Sequence, residues 1–164
     1  MGYWPYSRIF SKYKANCNVF IETGTHMGDS VQDAIDLGFK KIYSVEINPD
    51  FFNLCVNKFN AQLNKQVFLY NGDSTYFLPL ILEELEERAV FWLDAHEGNG
   101  GNPLQRELEM VKNHPIKNHV ILIDDLGHFG ADENYLKETI LSINSDYKFD
   151  YDQCTPNRQL IAYT

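Results

Sequence analysis

Three groups of residues have types and spacings that fit chemistry. In the first, Asp94 ends the apolar run AVFWL, His96 follows two residues later, and Asp124-Asp125 ends a second apolar run, VILI. Three carboxylates gathered at neighbouring strand ends repel one another unless a cation or protons offset them. An oxygen-only set suits Mg²⁺, which keeps several water or substrate oxygens. Adjacent strand residues point to opposite faces, so Asp124 and Asp125 share one ion only if the strand has already turned. The plainer reading makes one aspartate a helix cap and another half of an ion pair. His96, with an ordinary pKa near 6.5, has the chemistry of a general base, or is simply a solvated loop histidine. His26, His114, His119 and His128 have weaker claims.

The second group is FIETGTHMGDS, Phe20–Ser30. It reads as a buried strand, a tight turn and a helix start. Glu22 stands at the strand's carboxyl end, where open α/β sheets bind ligands. Gly24 permits a sharp turn or close approach of a ligand, and Gly28 lets the helix begin near it. Thr25 and His26 fill the turn between them. Asp29 or Ser30 serves as the helix cap, and the free N–H groups behind it favour a carboxylate or phosphate.

The third group consists of strand-end acids. Glu46 closes KIYSVE, and Asp73-Ser74 follows the run VFLYNG. An acid at the second strand end reaches ribose hydroxyls of an adenosine ligand. Asp73 also has the simpler reading of a helix cap. Two cofactors share this layout. A dinucleotide needs bare backbone at the second glycine of G-x-G-x-x-G, a place taken here by side chains. S-adenosylmethionine (SAM) needs an acid before the turn for its ammonium, which Glu22 supplies, and amides for its carboxylate.

Those residues require elements to carry them. Strands are predicted at Val19–Glu22, Lys41–Glu46, Gln66–Tyr70, Ala89–Asp94, His119–Asp124, Lys148–Asp152 and Gln159–Tyr163. Helices are predicted at Asp29–Leu37, Pro49–Asn60, Leu78–Glu87, Pro103–Asn113 and Glu133–Ile143. Five strand–helix alternations imply a parallel sheet covered on both faces. Asn48-Pro49 and Asn102-Pro103 read as N-caps followed by proline at the first helical position. Pro79 argues against a helix starting as early as Ser74. No helix separates the last two strands, and Thr155-Pro156-Asn157 supplies a turn, so they should pair antiparallel at one edge. Residues 1–16 form an aromatic-rich arm or helix against the body.

The chain has 164 residues, of which 44% are hydrophobic and 14% aromatic, enough for one domain with a substantial core over residues 1–164. A net charge of −9 and a longest basic run of only Lys40-Lys41 argue against a nucleic-acid partner. Cys17, Cys55 and Cys154 are odd in number and widely spaced, which argues against a disulfide framework. No run approaches the ~18 apolar residues of a membrane span, and the N-terminus lacks an apolar signal core. A soluble protein of the reducing cytoplasm is expected, with its oligomeric state left open.

With Glu22 before the turn and Glu46 after the second strand, Phe20–Ser30 resembles motif I of class I SAM-dependent methyltransferases. YNGDST resembles that family's motif after the third strand, where Asp73 would meet the adenine amino group and Ser74 would be a neighbouring contact. The resemblance spans nearly the whole chain. It implies the Rossmann-like methyltransferase fold, an α/β, doubly wound, mostly parallel seven-stranded sheet with an antiparallel last strand. Thr25 departs from the glycine that many members carry. Asp94 followed by Asp124-Asp125 is similar to the metal-dependent sugar O-methyltransferases of the macrocin and novobiocin pathways. That likeness implies Mg²⁺ on Asp94, Asp124 and Asp125, with Asp94 also beside the cofactor. It places the general base at His96, where those enzymes carry an aspartate. It further implies transfer to a hydroxyl of a small molecule or sugar, with the loops 97–102 and 126–132 choosing the acceptor. A non-catalytic SAM-binding scaffold and an NAD-binding enzyme are the rivals. Nucleic-acid amino-methyltransferases are disfavoured, because their Asn/Asp-Pro-Pro-aromatic motif is replaced by Asp94-Ala95-His96-Glu97.

Overall fold

A computed structural model describes residues 6–96, 101–126, 132–152 and 158–164. Seven strands form one sheet in the order β3-β2-β1-β4-β5-β7-β6. The strands are β1 (Val19–Thr23), β2 (Lys41–Glu46), β3 (Val67–Asn71), β4 (Ala89–Leu93), β5 (Val120–Leu126), β6 (Lys148–Asp152) and β7 (Arg158–Tyr163). The first five are parallel. β7 is antiparallel to both β5 and β6 and lies between them, so β6 takes the edge. The final pair is antiparallel as expected, but only β7 reverses direction relative to the rest of the sheet. The turn expected at Thr155-Pro156-Asn157, like Cys154, lies outside the described residues.

Strand alternation divides the core in two. Helices α1 (Ser7–Tyr13), α2 (Asp29–Asp36) and α3 (Pro49–Lys58) cover one face, packing Phe10, Val31, Ala34 and Phe59 on Phe20, Ile42, Trp92 and Leu122. Helices α4 (Ser74–Glu83), α5 (Leu104–Asn113) and α6 (Glu133–Ile143) cover the other, packing Leu78, Leu108 and Ile140 on Ile21, Phe91 and Ile121. Within the expected N-terminal arm, Ser7–Tyr13 form the helix α1. Its Phe10 ring lies 5.2 Å from Trp92 and 4.9 Å from Phe20. Its outer residues bind the edge strand, with Lys12 Nζ 3.0 Å from Asp150 Oδ2 and Arg8 bonded to Asp152.

Two helix starts differ from expectation. α4 begins at Ser74, with Pro79 inside it. The Asp73 carboxylate accepts the Thr75 N–H at 2.8 Å, and the helix buries Leu78, Ile81 and Leu82. Cap and burial together outweigh the hydrogen bond that Pro79 cannot donate, a cost of ~3 kcal/mol. In α5 the proline is one residue earlier than expected: Pro103 flanks the helix, and Asn102 Oδ1 accepts the Leu104 N–H at 2.9 Å. Asn48-Pro49 caps α3 as predicted.

Candidate functional site

β1 delivers Thr23 and Gly24 to the centre of the sheet's carboxyl edge. Gly24 has a φ of +90°, and a Cβ there would come 2.7 Å from the backbone oxygen of Asp94. The glycine is thus required by the neighbouring strand end. Gly28, with a φ of +73°, is the N-cap of α2, and no side chain caps that helix. Neither Asp29 nor Ser30 takes the cap role assigned from sequence. The Ser30 hydroxyl donates to Glu22, while Asp29 lies 3.4 Å from Lys58 Nζ. Lys58 Nζ also donates to the carbonyl oxygens of Met27 and Gly28, at 2.9 and 3.2 Å.

Glu22 is fully buried. One carboxylate oxygen accepts from Ser30 and the other from Ser44, and Thr25 Oγ1 bonds Ser44 in turn. Glu22 therefore ties β1, β2 and the start of α2 together from beneath the turn. Burial raises its pKa to about 7, helped by the nearby Glu46 and Asp29 charges and opposed by the two serine hydroxyls.

Glu46, at the end of β2, accepts the backbone N–H of His26 at 2.6 Å and that of Asn48 at 2.8 Å. It holds His26 at a φ of +48° and so shapes the turn. The His26 ring packs on Phe51, with centroids 4.4 Å apart. Each Glu46 oxygen has a second lone pair for a ligand. Asp73, at the end of β3, caps α4 through Thr75 and is partly exposed. Ser74 instead points inward, and its hydroxyl donates to Glu107 at 2.5 Å.

The ends of β4 and β5 are adjacent, as their parallel pairing requires. Asp94, His96 and Asp125 each offer one ligand atom, and these atoms lie within 4.8 Å of one another. His96 Nε2 is 3.0 Å from Asp125 Oδ2 and 3.5 Å from Asp94 Oδ1. Asp124 lines the same small pocket, which is partly open to solvent. Its Oδ1, however, is held by Gln159 Nε2 at 2.6 Å and by the Asp125 N–H at 2.8 Å. The converging set is therefore Asp94, His96 and Asp125, with the histidine where sequence reasoning placed Asp124. The switch arises in the backbone: the β5–β7 register shifts after Ile123, and Asp125 adopts a φ of +54°. Burial raises the Asp94 carboxyl well above the usual range, and the Asp124, Asp125 and Glu22 charges add to it. Asp124 is raised to about 6, mainly by burial. Carboxyls held so unfavourably, with an imidazole among them, fit a divalent cation, whose charge would relieve them.

Sequence reasoning missed Ser44, Lys58, Glu107 and Gln159. Strand alternation carried a signal for Ser44, which shares the Glu46 face of β2 and stands in register with Glu22. Helical spacing carried none for Lys58 or Glu107, and Gln159 acts from the last strand. Gly98, Gly100, Gly127, Gly130 and His128 lie outside the described residues.

No family model and no curated protein matches the chain. The fold does match solved structures. A candidate caffeoyl-CoA O-methyltransferase from Staphylococcus aureus aligns with a TM-score of 0.65 at 10% identity, over 96% of this chain and 80% of that one. A SAM-dependent methyltransferase from Aquifex aeolicus aligns at 0.61 and 12%, over 98% and 89%. An rRNA methylase from Streptococcus thermophilus aligns at 0.65 and 11%, over 96% and 93%. The chain therefore has the Rossmann-like α/β fold of these methyltransferases, and at such identities the likeness concerns fold alone.

Proposed function

We propose that this chain is a SAM-dependent methyltransferase acting on a hydroxyl of a small molecule or sugar, with a divalent cation at Asp94, His96 and Asp125. One observation carries the reading. The Gly24 turn, Glu46, Asp73 and the Asp94–His96–Asp125 group occupy the carboxyl ends of five consecutive strands, β3-β2-β1-β4-β5. Ligands of doubly wound sheets bind along that edge. Glu46 would accept from ribose hydroxyls and Asp73 from the adenine amino group. The uncapped α2 start, with Gly24, Thr25, His26, Gly28, Asp29 and Ser30 around it, would face the methionine carboxylate. Glu22 would act from below, holding the turn through Ser30 and Ser44.

SAM supplies the electrophilic methyl group. The chain's own residues position the acceptor oxygen in line with it and take up the hydroxyl proton. His96 Nε2 is either a cation ligand or a proton acceptor, since one lone pair serves one role at a time. A cation at this group would supply positive charge that stabilises an ionised acceptor hydroxyl. The imidazole shifts the preference from Mg²⁺ towards Mn²⁺ or another transition metal.

The rivals fit less well. The His26 N–H is bonded to Glu46, so it is not offered to a dinucleotide pyrophosphate. The net charge of −9 disfavours an RNA acceptor. No described helix is long and apolar enough to cross a membrane. Calorimetric titration with S-adenosylhomocysteine (SAH) and with NAD⁺ tests the reading. SAH binding without NAD⁺ binding supports it, and the reverse overturns it. An SAH-binding protein that transfers no methyl group to any hydroxyl compound, with Mn²⁺ present, would be a SAM-binding scaffold.

A further inference from the structure

The end of α3 grips residues 26–29, the segment that joins the Gly24 turn to α2. The Cys55 thiol donates to the His26 carbonyl at 3.3 Å. Lys58 Nζ donates to the Met27 and Gly28 carbonyls at 2.9 and 3.2 Å, and lies 3.4 Å from Asp29 Oδ1. The Phe59 ring seals the contact, since a Cβ on Gly28 would come 2.7 Å from its Cε2. Three successive carbonyls are thus drawn towards α3. In a planar trans peptide the next N–H points opposite to the carbonyl, so the amides of Met27, Gly28 and Asp29 turn away from α3. The Gly28 amide closes back on the Thr25 carbonyl at 2.9 Å. The Asp29 amide is the first of α2.

A lysine is an unfavourable choice for this place. A helix N-terminus carries partial positive charge, and acids rather than cations are stabilising beside it. Asp29 offsets little of the conflict, because its contact with Lys58 is long and both side chains are partly exposed. An apolar side chain could cover Phe59 equally well. The ammonium brings two things that it could not: bonds to two turn carbonyls, and a positive charge at the start of a helix that no side chain caps. Both favour a carboxylate at that end of the cleft.

We propose that Lys58 is a positioning residue for the amino-acid end of the cofactor. It holds residues 26–29 with their amides turned from α3, and it adds positive charge where the methionine carboxylate is bound. Its three N–H groups are matched by three acceptors in the turn, so it acts through the turn rather than on the ligand. This rests on the SAM reading for its ligand, but the ordering of the turn by Lys58 does not. The adenosine half of the cofactor lies towards Glu46 and Asp73 and does not depend on Lys58.

The test compares wild type with Lys58→Met, Lys58→Gln and Lys58→Arg. The measurements are affinity for SAH, affinity for 5′-methylthioadenosine and backbone hydrogen exchange at residues 26–30. Methylthioadenosine keeps the adenosine and the sulfur but lacks the carboxylate and ammonium. The Lys58 side chain is 32% exposed, so Lys58→Met is expected to fold. It should weaken SAH by about 5–30-fold and leave methylthioadenosine within about 2-fold of wild type. Exchange should rise at residues 26–30. Lys58→Arg keeps the charge and the donors and should recover most of the SAH affinity. Lys58→Gln keeps a donor without the charge and should fall between, which keeps the test open if Lys58→Met does not fold. Unchanged SAH affinity in Lys58→Met, or equal loss of both ligands, overturns the proposal. If wild type binds no SAH, the SAM reading fails by itself. Hydrogen exchange then decides: a rise confined to residues 26–30 upholds the positioning role, and unchanged exchange overturns it.

Discussion

The Nε2 atom of His96 sits 3.0 Å from Oδ2 of Asp125, joining the ends of two neighbouring strands through residues 29 positions apart. Asp124, the direct neighbour of Asp125, is drawn away by Gln159. This relationship separates ligand from bystander among acids that look equivalent in sequence. Mn²⁺ titration followed by electron paramagnetic resonance should show His96→Ala and Asp125→Asn each weakening binding by more than ~10-fold. Asp124→Asn should cost far less. Equal losses at Asp124 and Asp125 would return the site to the all-carboxylate arrangement.

The same histidine has two possible roles, and kinetics separates them. His96→Ala should lower single-turnover methyl transfer by ~10²–10⁴-fold with SAM affinity nearly unchanged. Recovery of the rate at high Mn²⁺ marks His96 as a ligand. No recovery marks it as the base. Normal transfer in the variant would make it a solvated loop residue.

Glu46 has two tasks, holding the His26 and Asn48 amides and offering lone pairs to a ribose. Glu46→Ala should weaken SAM binding by about 1.5–3 kcal/mol, the range for hydrogen bonds to a charged group. Glu46→Gln keeps one acceptor and should lose less. Calorimetry with circular dichroism as a folding control checks this, and unchanged affinity in Glu46→Ala would remove the residue from the site.

The buried ionisable groups predict an unusual pH dependence for the metal-free, ligand-free protein. Glu22 and Glu107 are raised to about 7 from an ordinary 4.5, so the folded state binds these protons more tightly than the unfolded chain. Their contribution is full below the unfolded value and is lost as pH rises through the folded one. Asp124, raised to about 6, acts in the same direction. His119 opposes them. Burial, with the nearby His114, Arg88 and Lys117 charges, lowers it to about 3, so stability falls as pH drops below its ordinary 6.5. Its neutral form accepts the Ala89 N–H at 3.1 Å through Nδ1 and meets His114 Nδ1 at 3.0 Å through Nε2. Three groups against one give a urea midpoint that rises as pH falls from neutral to a maximum at about pH 4–4.5 and then falls. Glu22→Gln with Glu107→Gln should flatten the neutral limb. A wild-type midpoint highest at neutral pH would show that these carboxyls are not held as described.

α1 behaves as core rather than as an appendage. Phe10 is fully buried against Phe20 and Trp92. Phe10→Ala should cost about 3–5 kcal/mol in chemical denaturation. A cost below ~1 kcal/mol would mean that the helix docks only loosely.

The sequence by itself determined the order of strands and helices from residue 19 onward, the parallel run of the first five strands, and which acids reach the carboxyl edge. Those features follow from local patterns: apolar runs, the Asn48-Pro49 start, and acids at the ends of strands. Asp73 shows the limit of local evidence. Its cap is local, but the helix it starts runs through Pro79 because burial of Leu78, Ile81 and Leu82 supports it. Only the tertiary structure decided where equivalent-looking side chains point. Glu22 turns inward because Ser44, in register on β2, meets it there. Asp125 rather than Asp124 joins His96 because β7 inserts beside β5, brings Gln159 to Asp124, and shifts the register where Asp125 turns. Glu107 meets Ser74 only once α5 packs against α4. Each outcome depends on a partner distant in the chain, whose location is set by sheet pairing and by helix packing on the two faces, and neither is encoded in the spacing around the residue itself.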